Sequence, residues 1–98
     1  MTDPAALPPD VRARLEDLRH RIDAADVDFV ELLVRRADLA LKAAALKTEA
    51  GLPLLDADRE EELRANQRAA AGPRLPSAEF DLVLDAVRRL MRRVVGAS

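Results

Sequence analysis

A few cations in this sequence stand where the surrounding pattern asks for apolar residues. From Leu15 the apolar positions recur as Leu18, Ile22, Ala25, Phe29, Leu32 and Leu33, at the alternating steps of three and four that mark one face of a helix. Carried onward, the seam lands on Arg36, then Ala40 and Ala43, then Lys47. Arg36 and Lys47 differ by about 20° around a regular helix and by about 16 Å along it, so both point at whatever the seam faces. A charge facing a helical interior is costly unless paired, and two arrangements relieve that cost. Either the long side chains snorkel to the surface or pair with acids of a later helix, or an anion arrives from elsewhere. The stretch Asp56, Arg59, Glu60 then adds another cation as well as two acids. An Arg, a Lys and a second Arg around one cavity suit a small dicarboxylate, because the guanidinium fork fits a carboxylate bidentately.

Arg19 adds a geometric condition. It lies about 25 Å before Arg36 along the same rod and roughly 100° around it, too far to reach one small ligand within a single chain. In an antiparallel dimer the partner's Arg19 approaches the pocket instead.

The elements that must position these residues follow from punctuation and periodicity. Met1 to Pro9 carry three prolines and no periodic apolar pattern, which predicts a flexible N-terminal arm over residues 1–9, and a single domain over 10–98. Asp10 is a candidate N-cap, and no Pro or Gly interrupts the chain from there to Glu49; Gly51 and Pro53 then stop the helix. A helix of about 38 residues would be roughly 57 Å long, against a radius of gyration of about 13 Å for a compact domain of this size. Two shorter helices cannot cover such a rod, so the pattern predicts that two rods pair as a dimer. Leu52 to Leu55 form an apolar connector, and Asp56 and Asp58 compete to cap a second helix running to about Ala71. Leu63 is its only large aliphatic residue. After Gly72, Pro73 and Pro76, Ser77 is expected to cap a third helix with Phe80, Leu84, Val87, Met91 and Val94 on one side and Arg88, Arg89, Arg92 and Arg93 on the other. Those arginines read as a solvated face near a helix C-terminus, which the dipole favours.

Composition narrows the classes. The chain has 98 residues, no Cys, one His, two Phe as its only aromatics, and a net charge of −2 from 16 basic and 18 acidic side chains. Alanine and leucine dominate while β-branched and aromatic residues are sparse, which predicts an all-α fold. No Cys means no disulfide, thiolate metal site or cysteine nucleophile. The balanced charge argues against nucleic acid as a partner. No apolar run long enough for a membrane span and no signal-peptide pattern are present, so a cytoplasmic protein is expected.

The sequence resembles the all-helical (AroQ-type) chorismate mutases. The matching stretches are Leu18-Arg19-His20-Arg21-Ile22-Asp23-Ala24-Ala25-Asp26, Leu32-Leu33-Val34-Arg35-Arg36, Ala45-Leu46-Lys47 and Pro53-Leu54-Leu55-Asp56-Ala57-Asp58-Arg59-Glu60, aligned from Leu18 to Glu60 without a gap and more weakly to the end of the chain. The resemblance implies an intertwined homodimer of three-helix chains, each site borrowing one arginine from the other chain. Arg19 matches the borrowed arginine, Arg36 and Arg59 match carboxylate binders, and Lys47 matches the residue bonding a carboxylate and the ether oxygen. Asp56 and Glu60 match groups near the ring hydroxyl. The implied reaction is the pericyclic conversion of chorismate to prephenate, the branch step towards Phe and Tyr, with Lys47, Arg36, Arg59 and Glu60 catalytic and no metal, cofactor or nucleophile. Catalysis then consists of holding a flexible dianion in its compact shape and stabilising charge that builds on the ether oxygen.

One departure stands out. The family usually carries a Gln or Glu near the end of helix 3 as a second donor to the ether oxygen, with a small hydroxyl residue one turn earlier. Counted without gaps these positions fall at Gly96 and Arg92, and no Gln or Glu follows Glu79. Arg92 or Arg93 takes over, the donor is absent, or the substrate is a chorismate relative, 4-amino-4-deoxychorismate or isochorismate. A weakly active helical module that needs a shikimate-pathway enzyme as partner is the other alternative. Asp56 also reads as a plain N-cap, Glu60 as a first-turn helix acid, and His20 as a surface residue.

Overall fold

The computed structural model describes residues 6–97, which contain helices and turns and no strand. Three α-helices follow one another: α1 (Pro9–Glu49), α2 (Ala57–Ala71) and α3 (Ser77–Ala97), with a short 3-10 turn at Gly72–Arg74 between the last two. The all-helical, three-helix expectation holds. Of the arm expected over 1–9, residues 1–5 lie outside the described residues, and Pro9 already belongs to α1.

Helix boundaries differ from the sequence reading by a residue or so, each for a local reason. Asp10 is not the cap of α1 but an acid in its first turn. The Arg12 N–H donates to the Pro8 carbonyl at 3.0 Å, and Pro9 suits the first helical position because its fixed φ is helical and its missing N–H has no partner to lose. Likewise the Phe80 N–H donates to the Pro76 carbonyl at 2.9 Å, so Ser77 is the first residue of α3 rather than its cap. At α2 the competition is decided for Asp56, which is extended (φ −131°, ψ 102°) and accepts from the Arg59 N–H.

The chain divides into two compact units, Met1–Arg36 and Ala37–Ser98. The described part of the first is essentially one stretch of α1, and a lone helix has nothing of its own to bury its seam against. Leu18, Ile22, Phe29 and Leu32 accordingly stay exposed, Phe29 at 52%. Local ion pairs run along it, Arg14–Asp10 at 3.7 Å, Arg19–Glu16 at 3.4 Å and Arg21–Asp17 at 3.8 Å, each worth about 0.3–0.5 kcal/mol at such solvated positions.

In the second unit the remainder of α1 shows a half-buried stripe of Ala37, Ala40, Leu41, Ala44 and Lys47. The step through Ala43 expected from the seam falls instead on Ala44, as the 3.6-residue period drifts against a strict heptad. Leu84 and Met91 of α3, 7% and 6% exposed, are the buried apolar residues, with Phe80, Val87 and Val94 half-buried on the same face. That is the seam read from the sequence.

Candidate active site

Lys47 is fixed at the end of α1 by the way the helix stops. Gly51 takes a left-handed backbone (φ 71°), which a side chain would resist. The Leu52 N–H then donates back to the Lys47 carbonyl at 2.8 Å and the Gly51 N–H to the Thr48 carbonyl at 3.2 Å, the paired bonds of a Schellman turn. The turned connector brings the Leu54 carbonyl to 3.2 Å from Lys47 Nζ. Lys47 is therefore tied to the connector by its backbone at Leu52 and by its ammonium at Leu54, the latter two residues short of the cap of α2.

At that cap Asp56 Oδ1 accepts from the Arg59 N–H at 3.1 Å, and the Glu60 N–H closes the first turn onto the Asp56 carbonyl at 3.0 Å. Asp56 is thus an N-cap in fact, which leaves its second carboxylate oxygen for other use. The Arg59 guanidinium lies along its own helix, 3.0 Å from Glu62 Oε1. Glu60 turns the other way, towards α3: its Oε2 is 3.5 Å from Arg88 NH1 and 3.6 Å from Arg92 NH2.

Glu60 begins a ladder between α2 and α3. One turn on, Arg64 NH2 reaches Asp85 Oδ1 at 2.9 Å, and Arg88 donates to the same oxygen. A further turn on, Arg68 grips Asp81 with two bonds of 2.9 and 2.7 Å. Positions rising along α2 meet positions falling along α3, so the helices run antiparallel. The bidentate bond from Arg68 holds the Asp81 carboxyl below its ordinary range, and Asp81 raises the Arg68 guanidinium in turn. The far end of α2 is closed by Gly72 (φ 57°), whose N–H donates to the Arg68 carbonyl, and by the Arg74 guanidinium on the Ala71 and Ala70 carbonyls at 3.1 and 2.5 Å.

Along this ladder opens a cleft of about 530 Å³ lined by Leu55, Glu60, Arg64, Arg68, Arg88 and Arg92 among others, within the usual range for a small-molecule site. Of the residues proposed from the sequence, Glu60 lines it, as does Arg92, one of the two candidates for the missing helix 3 donor; Lys47, Asp56 and Arg59 belong to the junction between α1 and α2 in the same unit. Arg19 and Arg36 belong to the first unit, where Arg19 is engaged by Glu16 and Arg36 is half-buried. Reading the α3 arginines as one solvated face is corrected at Arg88, whose side chain is 20% exposed and bonded to Glu60 and Asp85; Arg92 is more open, at 57%. Arg64 and Arg68 were not singled out from the sequence, and Arg88 was read only as part of the solvated face. The signal available was Glu60, Arg64 and Arg68 at steps of four, opposite in sign to Arg88 or Arg92, Asp85 and Asp81 read backwards. Among the described residues no group of three or more His, Asp or Glu could hold a metal ion, and no helix is long and apolar enough to cross a membrane.

The fold and cleft define a small all-helical domain in which four guanidiniums and two carboxylates line one cleft, each guanidinium paired with a carboxylate of α2 or α3. The profile of the chorismate mutase type II family matches residues 18–98, and the chain belongs to that family. A T-protein of Enterobacter agglomerans is 34% identical over 80 residues, which cover 82% of this chain and 21% of that protein. A T-protein of Haemophilus influenzae is 35% identical over 78 residues, covering 80% of this chain and 20% of that protein. The chain thus spans about a fifth of the length of the curated relatives it matches. No solved structure matches.

Proposed function

We propose that this chain converts chorismate to prephenate, working as an intertwined homodimer whose sites combine Arg36, Lys47, Asp56, Arg59 and Glu60 of one chain with Arg19 of the other. Membership of the chorismate mutase type II family supports the reaction. What supports the site is the junction of α1 and α2: a Schellman turn and the Leu54 carbonyl tie Lys47 to the connector, and Asp56 caps the helix whose first turn carries Arg59 and Glu60. The rearrangement breaks a C–O bond and forms a C–C bond within one molecule, with no proton transfer or covalent intermediate. The protein's task is to hold the dianion compact and to meet charge developing on the ether oxygen with fixed donors. Arg19, Arg36 and Arg59 serve the first, Lys47 the second, while Asp56 and Glu60 accept from the ring hydroxyl. The exposed seam of Leu18, Ile22, Phe29 and Leu32 supports the dimer, since a second copy of the same seam would cover it.

Purified protein incubated with chorismate tests the reaction. Loss of chorismate with prephenate as product is expected. Untouched chorismate, or release of pyruvate, would overturn the proposal.

A further inference from the structure

Glu60 is held on one side only. Both guanidinium contacts, from Arg88 NH1 at 3.5 Å and Arg92 NH2 at 3.6 Å, fall on Oε2, and Oε1 has no partner among the described residues. Of the two arginines, Arg88 is the one built into the fold: 20% exposed against 57% for Arg92, and anchored at its other nitrogen by Asp85, which is itself bonded to Arg64 at 2.9 Å. The chain of contacts therefore starts on α2 at Arg64, crosses to α3 through Asp85 and Arg88, and returns to α2 at Glu60.

From this asymmetry we infer that Arg88 is the positioning residue for Glu60: it pins Oε2, keeps the carboxylate from swinging along the cleft, and leaves Oε1 turned outward to accept a hydrogen bond from a ligand hydroxyl. The inference rests on the mutase reading, in which Glu60 meets the ring hydroxyl. Arg92 contributes charge but little constraint, because more than half of its side chain is exposed to solvent and its contact with Glu60 is 3.6 Å. A carboxylate free to rotate samples many orientations, and a misplacement of about 1 Å in a positioning group can cost on the order of a hundredfold in rate.

The test is a double-mutant cycle on the full chain with chorismate as substrate, folding being followed by far-UV circular dichroism. Arg88→Gln is expected to lower kcat about tenfold or more while KM changes less than about threefold, since orientation is lost and carboxylate binding is not. Arg88→Lys should recover part of that loss, because an ammonium still reaches Glu60 though it cannot fork to Asp85 as well. In a Glu60→Gln background Arg88→Gln should cost less than about twofold more, as the two act as a unit. Arg89→Gln, at the exposed neighbouring position, should leave turnover unchanged. Should Arg88→Gln fail to fold, Asp85→Asn removes the anchor instead, with a loss in kcat of about threefold expected and the same non-additivity with Glu60→Gln. Losses that add in full, or a change confined to KM, would overturn the inference while leaving the mutase reading intact. A wild-type chain that does not turn over chorismate overturns the mutase reading and this inference with it.

Discussion

Replacing Lys47 by alanine separates two things the residue does. Its ammonium donates one hydrogen bond, 3.2 Å to the Leu54 carbonyl, in a solvent-exposed setting. Such a bond contributes about 0.5–1.5 kcal/mol, and the Schellman turn that shapes the connector uses the Lys47 backbone, which alanine retains. A domain of this size has roughly 5 kcal/mol or more of stability, so a loss of about 1 kcal/mol leaves well over nine-tenths of the chains folded and lowers Tm by about 4–8 °C. Lost folding therefore cannot account for more than a trivial fall in activity. If the same ammonium meets the charge that builds on the ether oxygen, its removal costs at least about a hundredfold in kcat/KM, or about 2.7 kcal/mol of transition-state stabilisation. The assay is the initial rate of chorismate disappearance at substrate concentrations well below KM, with circular dichroism melts run on the same samples. A fall of tenfold or less in a folded Lys47→Ala protein would refute the assigned role.

The borrowed arginine makes a second prediction: Arg19→Ala and Lys47→Ala chains, each inactive alone, should recover about a quarter of wild-type activity when unfolded and refolded together, since half the dimers are then mixed and each has one intact site. No recovery would place Arg19 and Lys47 in the same chain's site or outside it. For Asp81, the Arg68 hydrogen bond keeps the folded carboxyl below its unfolded value; stability from the pair is thus complete above the ordinary carboxylate range and disappears as pH falls through the lowered value. Asp81→Asn should melt below wild type at neutral pH, the two curves converging in acid, and parallel curves at all pH values would contradict it. Leu84→Ala should cost about 2–4 kcal/mol in chemical denaturation, since Leu84 is 7% exposed on the one well-buried face of α3; a cost below about 1 kcal/mol would mean that face is not a core.

Much of the architecture was legible in the sequence because it is local. Gly51 and Gly72, each followed shortly by proline, end helices for reasons confined to a few residues. The spacing of Phe80, Leu84, Val87, Met91 and Val94 identified the inward face of α3 because a helix's periodicity is the same wherever it packs. Caps were less legible. Asp56 and Asp58 are equivalent in type, and the choice between them turned on which residue has extended backbone at the end of the connector. Pro8 and Pro76 displaced Asp10 and Ser77 from the cap positions because a proline just before or at the first turn sets the backbone there whatever hydroxyl or carboxylate follows.

The chemistry divides along the same line. Residue order and spacing were enough to show an all-helical chain of the chorismate mutase type II family, with Lys47, Asp56, Arg59 and Glu60 placed close together in the chain by a short connector, and with an apolar seam that one helix cannot bury. Packing of α2 against α3 was needed to show that Glu60 faces α3 rather than Arg59's solvent side, that Arg88 is enclosed where Arg92 is open, and that Arg64, Asp85 and Arg88 link the two helices up to the site. The difference lies in the range of the interactions. Turns, caps and periodicity are settled within about one or two helical turns, whereas an ion pair between residues 28 positions apart, as between Glu60 and Arg88, exists only once two helices have chosen their direction and register.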